Sequence, residues 1–307
     1  MPLWLGIVLL GIIEGITEFL PISSTGHLLI AQQMGWVPGQ SDLFNVVIQS
    51  GAVLAVLPLF PDRLRQFFTR WQDPLVRDYL LKIAVAFVIT GVGGLVLEKR
   101  HFKLDDDLEH IASALFIGGV LFLIVEKNIA KKILGDRITW TVAVAVGIGQ
   151  LVAAVFPGTS RSGITILAAL ALGVGRVPAV EFTFLVGIPT MLAAGGLKIF
   201  KALHHGNAAN AENWPMVILA SVVAAIVSFI AVKWLLRYIQ TRTFVAFGWY
   251  RIALAIVIGF LLWQKPELRH LPPADVKEKS KLTSVGFDWS KERLFVESAH
   301  PPVGPSR

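Results

Sequence analysis

The sequence predicts an all-α integral membrane protein: two inverted-topology repeats, each a re-entrant helix–loop–helix plus three transmembrane helices. Three observations carry this expectation. The chain is 54% apolar and only 16% charged, with a mean hydropathy of +0.66, whereas soluble domains are about a quarter charged. The apolar residues gather into long runs, several near the roughly 20 residues that cross a bilayer. Two of those runs break at proline and small polar residues and continue as segments too short to span.

In chain order the apolar segments are Leu3–Leu20, Gly26–Met34, Leu43–Phe60, Tyr79–Leu97, Ile111–Val125, Thr139–Phe156, Gly163–Leu172, Val180–Phe200, Met216–Leu236 and Phe244–Trp263. The broken pairs are the first two and the sixth with the seventh. Irregular backbone at membrane depth survives only inside protein or beside a wet cavity, so both pairs read as re-entrant elements. A shift of 136 residues lays Gly11 on Gly147, Glu14 on Gln150, Pro21 on Pro157, Ser24 on Ser160 and Gly51 on Gly187. Three further apolar segments follow each pair. The membrane part is therefore expected to be one domain, 1–265, with repeat 1 at about 1–137 and repeat 2 at about 138–265. An odd number of crossings per copy makes the copies antiparallel, and broken helices at such a repeat interface are a known way to build a midplane site.

Arg63, Arg65, Arg70, Arg77, Lys127, Lys131, Lys132, Arg137, Arg176, Lys233, Arg237 and Arg242 fall on one side of this topology, and the opposite loop, Glu98–Glu109, is mixed in charge. The positive-inside bias then sets both termini outside the cytoplasm. The start lacks a basic n-region and a small-residue cleavage site, so Leu3–Leu20 is read as part of the mature protein. Residues 266–307 are charged, proline-containing and without an apolar face, and are expected to form a flexible polar tail. No cysteine is present, which excludes disulfides and thiol chemistry. The net charge of +7 fits basic loops and anionic-lipid contact, and no basic–aromatic nucleic-acid motif accompanies it. Partnership with a bilayer is expected and with nucleic acid is not; self-association into a homo-oligomer is left open.

Polar residues cluster at the two breaks. Glu14 and Glu18 share one face of an apolar helix at i,i+4 spacing, about 5–6 Å apart at Cβ. A charge at mid-bilayer costs about 2.5–3.5 kcal/mol even on the lenient insertion scale, so the pair calls for a cation, a partner or a proton; a water-filled vestibule is the plainer alternative. In Pro21-Ile22-Ser23-Ser24-Thr25-Gly26-His27 the proline ends one helix and a hydroxyl caps the next. One cap leaves the other hydroxyls of Ser23, Ser24 and Thr25 unexplained. His27, which alone would read as a satisfied core histidine, stands one broken turn from two carboxylates. The second break runs Pro157-Gly158-Thr159-Ser160-Arg161-Ser162-Gly163-Ile164-Thr165. Gly158 and Gly163 permit close backbone approach, the hydroxyls of Thr159, Ser160, Ser162 and Thr165 with helix N–H groups form an anion cradle, and Arg161 adds a planar fork suited to phosphate. Acids able to hold Mg²⁺ or Ca²⁺ opposite a phosphate cradle, inside a membrane, point to a phosphorylated lipid. Ser24, His27 and water all stand as nucleophile, with Glu18, Glu14 or His27 as base.

These residues resemble the bacterial undecaprenyl-diphosphate phosphatase family of the bacitracin-resistance type. The shared pattern is E-x-x-x-E at Glu14 and Glu18, the Pro21–His27 stretch, and Pro-Gly-x-Ser-Arg-Ser-x-x-Thr at Pro157–Thr165, and the resemblance covers about residues 1–265. It implies hydrolysis of a polyprenyl diphosphate lipid to the monophosphate carrier of cell-wall synthesis, at the outer face of the bacterial cytoplasmic membrane. The rival is a transporter or flippase, since inverted repeats, broken helices and midplane charges also build carriers. A carrier needs binding groups but no nucleophile beside a base.

Overall fold

The computed structural model describes residues 2–37, 39–100, 102, 104, 107–204 and 213–265. The expected tail, with Lys103, Asp105 and Asp106 of the mixed-charge loop, lies outside the described residues. Among those residues are eleven helices: α1 (Leu3–Thr17), α2 (Ser24–Gln33), α3 (Asp42–Val56), α4 (Pro61–Thr69), α5 (Pro74–Lys99), α6 (Leu108–Ile129), α7 (Trp140–Val155), α8 (Arg161–Ala171), α9 (Arg176–His204), α10 (Trp214–Thr241) and α11 (Val245–Gln264). The described residues form no strand; one isolated bridge between Gly135 and Val174 ties two connectors together.

Five helices, α5, α6, α9, α10 and α11, are long and apolar enough to cross a bilayer. The stretch containing α3 becomes a sixth if it is joined to α4, which turns from it by 82°. The chain is thus a multi-pass, all-helical membrane protein. The helices of the two breaks are shorter. α1, α7 and α8 are apolar but too short to span alone; α1 ends before Pro21 and α7 before Pro157, residues that a helix does not readily continue through.

Helix starts follow local chemistry. Ser41 caps α3 through the Phe44 N–H at 3.0 Å, and Asp73 caps α5 through that of Leu75 at 2.9 Å, with Pro74 as the first helical residue. The basic stretch after Phe60, expected as a loop, contains α4. Pro61 starts it, Phe67 packs on the core and Phe68 stands exposed, the make-up of a short helix lying along the membrane surface. Arg63 pins it by pairing with Glu181 and lying 4.9 Å over the Tyr79 ring. Glu181, near the start of α9, is this tether.

The halves of the chain are packed by exchange. A Cβ at Gly11 of α1 would lie 2.8 Å from the Ala220 carbonyl oxygen of α10, and one at Gly147 of α7 would lie 3.0 Å from that of Ala86 in α5. Each broken helix therefore leans its glycine face on a spanning helix of the other half. α6 and α11 meet through Gly119 and Gly248, where an added Cβ at either would approach the other's carbonyl oxygen to 2.7 and 3.0 Å. Without a hydrophobic force between helices in lipid, such small-residue seams carry the packing.

Both breaks are built alike at one point. Ser23 and Ser160 hold positive φ, 73° and 69°, and each caps the next helix by accepting the N–H of Gly26 or Gly163, at 3.4 and 3.1 Å. The structural register is therefore Ser23 with Ser160, not the Ser24 with Ser160 that a uniform shift gives. The second break has one more residue between proline and cap, and Gly158 at φ +88° takes it up.

Candidate active site

Glu18 is the C-cap of α1, Ser24 the first residue of α2 and Arg161 the first residue of α8. The two breaks set these three residues in hydrogen-bond contact. The Ser24 hydroxyl donates to one carboxylate oxygen of Glu18 at 2.8 Å, and Arg161 Nη2 donates to the other at 3.2 Å. Glu18 is nearly buried and Arg161 mostly so. A buried pair of this kind is held at a cost in desolvation, which makes its persistence at mid-membrane informative. Arg161 also touches the Met191 sulfur at 2.9 Å and lies 5.8 Å from the Phe19 ring centre. Its Nη1 is buried without a hydrogen-bond partner and packs against Gly187 of α9.

A cavity of about 550 Å³ opens beside these groups, lined at its polar end by Glu18, Ser23, Ser24, Thr25, Gln49, Gln150, Gly158, Ser160 and Arg161. The first residues of α2 and α8 both reach it, so two helix N-termini present positive potential there. Glu14 lies just behind. It is fully buried, both of its carboxylate oxygens lack a hydrogen-bond partner, and Glu18 and Gln49 face it. Such an orphaned acid beside a second one fits a hard divalent cation, which takes one or two carboxylates and completes its shell with water and substrate phosphate. The described residues hold no cluster of three acidic or histidine ligands, so a cation at this site needs oxygen donors from elsewhere.

Other expected site residues stand apart from the cavity. His27 turns away: its ring stacks on Tyr250 of α11, Nε2 is 2.7 Å from the Tyr250 hydroxyl, and Nδ1 is 2.7 Å from the Ser23 carbonyl. It touches neither Ser24 nor Glu18 through a hydrogen bond and braces the first break instead. Ser162 is fully buried and donates to the Leu20 carbonyl at 3.1 Å, joining the two breaks. Thr165 donates to the Arg161 carbonyl at 2.8 Å. Gly163 donates the capped N–H, and Thr159 faces a second, smaller cavity.

Two groups outside the sequence-predicted site residues shape this site. Gly187 of α9 lies under Arg161, and a Cβ there would come within 1.9 Å of Nη1. Arg251 of α11 is turned inward. It is fully buried and donates to the carbonyls of Pro21, Ala114, Leu115, Gly158 and Thr159 at 3.0–3.4 Å. Gly118 makes room for it, since a Cβ there would fall 2.2 Å from Nη2. One guanidinium thus gathers carbonyls from both breaks and from α6. Arg251→Met is expected to lose bonds worth about 1.5–3 kcal/mol each, and less than their sum. A fall in thermal midpoint together with loss of activity in detergent checks this; an unchanged midpoint would deny the clamp.

With this geometry in hand, the relatives decide the family. The profile of the family described as bacitracin resistance protein BacA matches residues 7–257. The chain belongs to the BacA family. A protein of Rhizobium etli (strain CIAT 652) named undecaprenyl-diphosphatase is 51% identical to this BacA-family chain over 256 residues, covering 83% of this chain and 96% of its own. Proteins of the same name from Xanthomonas euvesicatoria pv. vesicatoria (strain 85-10) and Xylella fastidiosa (strain 9a5c) are each 48% identical, covering 83% of this chain and 95% and 97% of theirs. The matched region takes in both breaks and α11 down to Val257, and so every residue of the BacA-family site named above.

Proposed function

We propose that this protein hydrolyses undecaprenyl diphosphate to undecaprenyl phosphate and inorganic phosphate, and so recycles the lipid carrier of cell-wall synthesis. The observation that carries the reading is the Ser24–Glu18–Arg161 chain of hydrogen bonds at the polar end of a largely apolar cavity, in a family whose members bear the name of that activity.

Arg161 and the N-termini of α2 and α8, which line the cavity, bind the distal phosphate. Glu18 takes the Ser24 proton as the hydroxyl oxygen attacks the distal phosphorus. The bridging P–O bond breaks, the proton passes to the departing phosphate oxygen, and undecaprenyl phosphate leaves. Glu18 then takes a proton from a water as its oxygen attacks the phosphorus on Ser24; the serine P–O bond breaks, the proton passes from Glu18 to the Ser24 oxygen, and inorganic phosphate leaves. His27 acts here as a brace on the Ser23 carbonyl, because both of its ring nitrogens are engaged away from the hydroxyl. Glu14 and Glu18 would hold a divalent cation, Mg²⁺ or Ca²⁺, which neutralises diphosphate charge. The two breaks, alike in their caps and exchanged in their packing, support an antiparallel pair of repeats, and the basic loops favour a site open to the outer face of the bacterial inner membrane.

The test is phosphate release from undecaprenyl diphosphate by purified protein, with and without EDTA, and by sealed right-side-out vesicles given substrate from outside. Metal-dependent release in both preparations is expected. Release only from broken vesicles would reverse the orientation. Binding of the lipid without any release would favour a carrier.

A further inference from the structure

The active-site cavity does not end at its polar groups. It runs on between α5 and α9 as an apolar slot whose walls are small: Gly91 and Gly94 on one side, Ala193 and Ala194 on the other. A Cβ at Gly91 or Gly94 would meet no atom within 4 Å. These two glycines therefore serve no helix–helix seam, in contrast to Gly93 between them, where an added Cβ would lie 2.5 Å from Leu151. Glycine in a helix interior is unfavourable relative to alanine, so two that pack against nothing but the cavity call for another account.

The slot opens sideways. Leu95 and Leu197 line it and are also exposed, 52% and 40%, among the outward apolar residues of α5 and α9. Its far end is closed by an ion pair across the same two helices, Lys201 Nζ to Glu98 Oε1 at 2.8 Å. The open side thus lies among the outward apolar residues of the two helices, and the far end is the one strapped by the ion pair.

We infer that this slot is the binding site for the first isoprene units of the substrate's hydrocarbon chain, an inference that rests on the function proposed above. A lipid diphosphate entering from the side keeps its chain in apolar surroundings throughout, whereas entry from water would expose it. Phosphate site and slot are one continuous cavity, so a molecule with a charged head and an apolar tail fills both at once. The second cavity, about 300 Å³ and walled by α6, α7 and α8, is also apolar. It lies against Pro157 and Thr159, and neither Glu18, Ser24 nor Arg161 reaches it. A chain there would be parted from its own diphosphate by the second break.

Gly91 and Gly94 then set how the chain is gripped. Because their side-chain positions are empty, Gly91→Leu and Gly94→Leu are expected to fold and to fill the slot. The experiment compares kcat/KM for undecaprenyl diphosphate with inhibition by inorganic diphosphate, which has no chain, in full-length protein in detergent. The leucine variants should lose about tenfold or more on the long-chain substrate while the inhibition constant of diphosphate stays within about twofold. Ile117→Trp, at the mouth of the second cavity, should leave both unchanged. Equal losses for substrate and diphosphate, or no loss for either, would overturn the slot, as would a long-chain-selective loss in Ile117→Trp. Wild-type protein that releases no phosphate at all would instead refute the proposed activity.

Discussion

Glu18→Gln protein is expected to fold, to bind the lipid diphosphate and to release phosphate about 10²–10⁴-fold more slowly than the parent. Glutamine keeps the shape of the side chain and an oxygen for Arg161, so the contact between the breaks survives in weakened form. What it cannot do is take a proton from Ser24, whose hydroxyl now donates to the Glu18 carboxylate at 2.8 Å. The loss should therefore fall on kcat, with KM little changed. The informative comparison is His27→Gln. If the histidine were the base, that variant would show the larger loss in kcat and Glu18→Gln the smaller. The geometry predicts the opposite order, with the histidine variant recovering much of its activity because glutamine can still bond Tyr250 or the Ser23 carbonyl. Steady-state kinetics of the two proteins decide between the assignments.

Gly187→Ala should be as damaging, from a change that any helix scale would score as favourable. Alanine in place of glycine inside a helix is worth about 0.4–1 kcal/mol where the backbone is helical, and Gly187 sits within α9. That gain offsets part of the cost of loosening the buried Arg161–Glu18 pair, so the protein should still fold, with a modestly lower thermal midpoint. Yet the new Cβ would occupy a point 1.9 Å from Arg161 Nη1, so the guanidinium must leave its place over Gly187 and with it the Glu18 carboxylate. A loss of about 10²–10³ in kcat/KM, on the scale of removing a transition-state donor, is expected without loss of fold. Measuring midpoint and activity on the same preparation separates this from ordinary destabilisation. An active Gly187→Ala enzyme would mean that Arg161 does its work from some other position.

The contrast between these two residues explains how much could be read in advance. Glu14, Glu18, Ser24 and Arg161 announce themselves, because a charge or a run of hydroxyls in an apolar segment needs a reason. The broken helices are equally legible, since proline followed by small polar residues interrupts a hydrophobic run wherever it occurs. Gly187 carries no such mark. Its meaning depends on which side chain from α8 comes to lie over it, 26 residues away in sequence, as the residue numbers themselves show. Arg251 is legible as an oddity but not in its role, because its partners are backbone carbonyls, and every sequence supplies those. The contacts of His27 are hidden for a related reason. Nearness along the chain to Glu18 says nothing of which way the ring points once α2 has turned, and only the packing of α11 shows Tyr250 waiting on the other side. α4 escaped notice because a nine-residue amphipathic helix rich in arginine looks, in one dimension, like a basic loop.

The clamp made by Arg251 also bears on how the protein comes into being. α11 leaves the ribosome after every other element of the site, and until it inserts, the carbonyls of Pro21, Gly158 and Thr159 lack the cation that gathers them. The nascent chain therefore carries Glu14, Glu18, Ser24 and Arg161 into the bilayer before they are drawn into register. Competence arrives late, with α11, so a partly made chain has the ingredients of a phosphatase and not yet its centre.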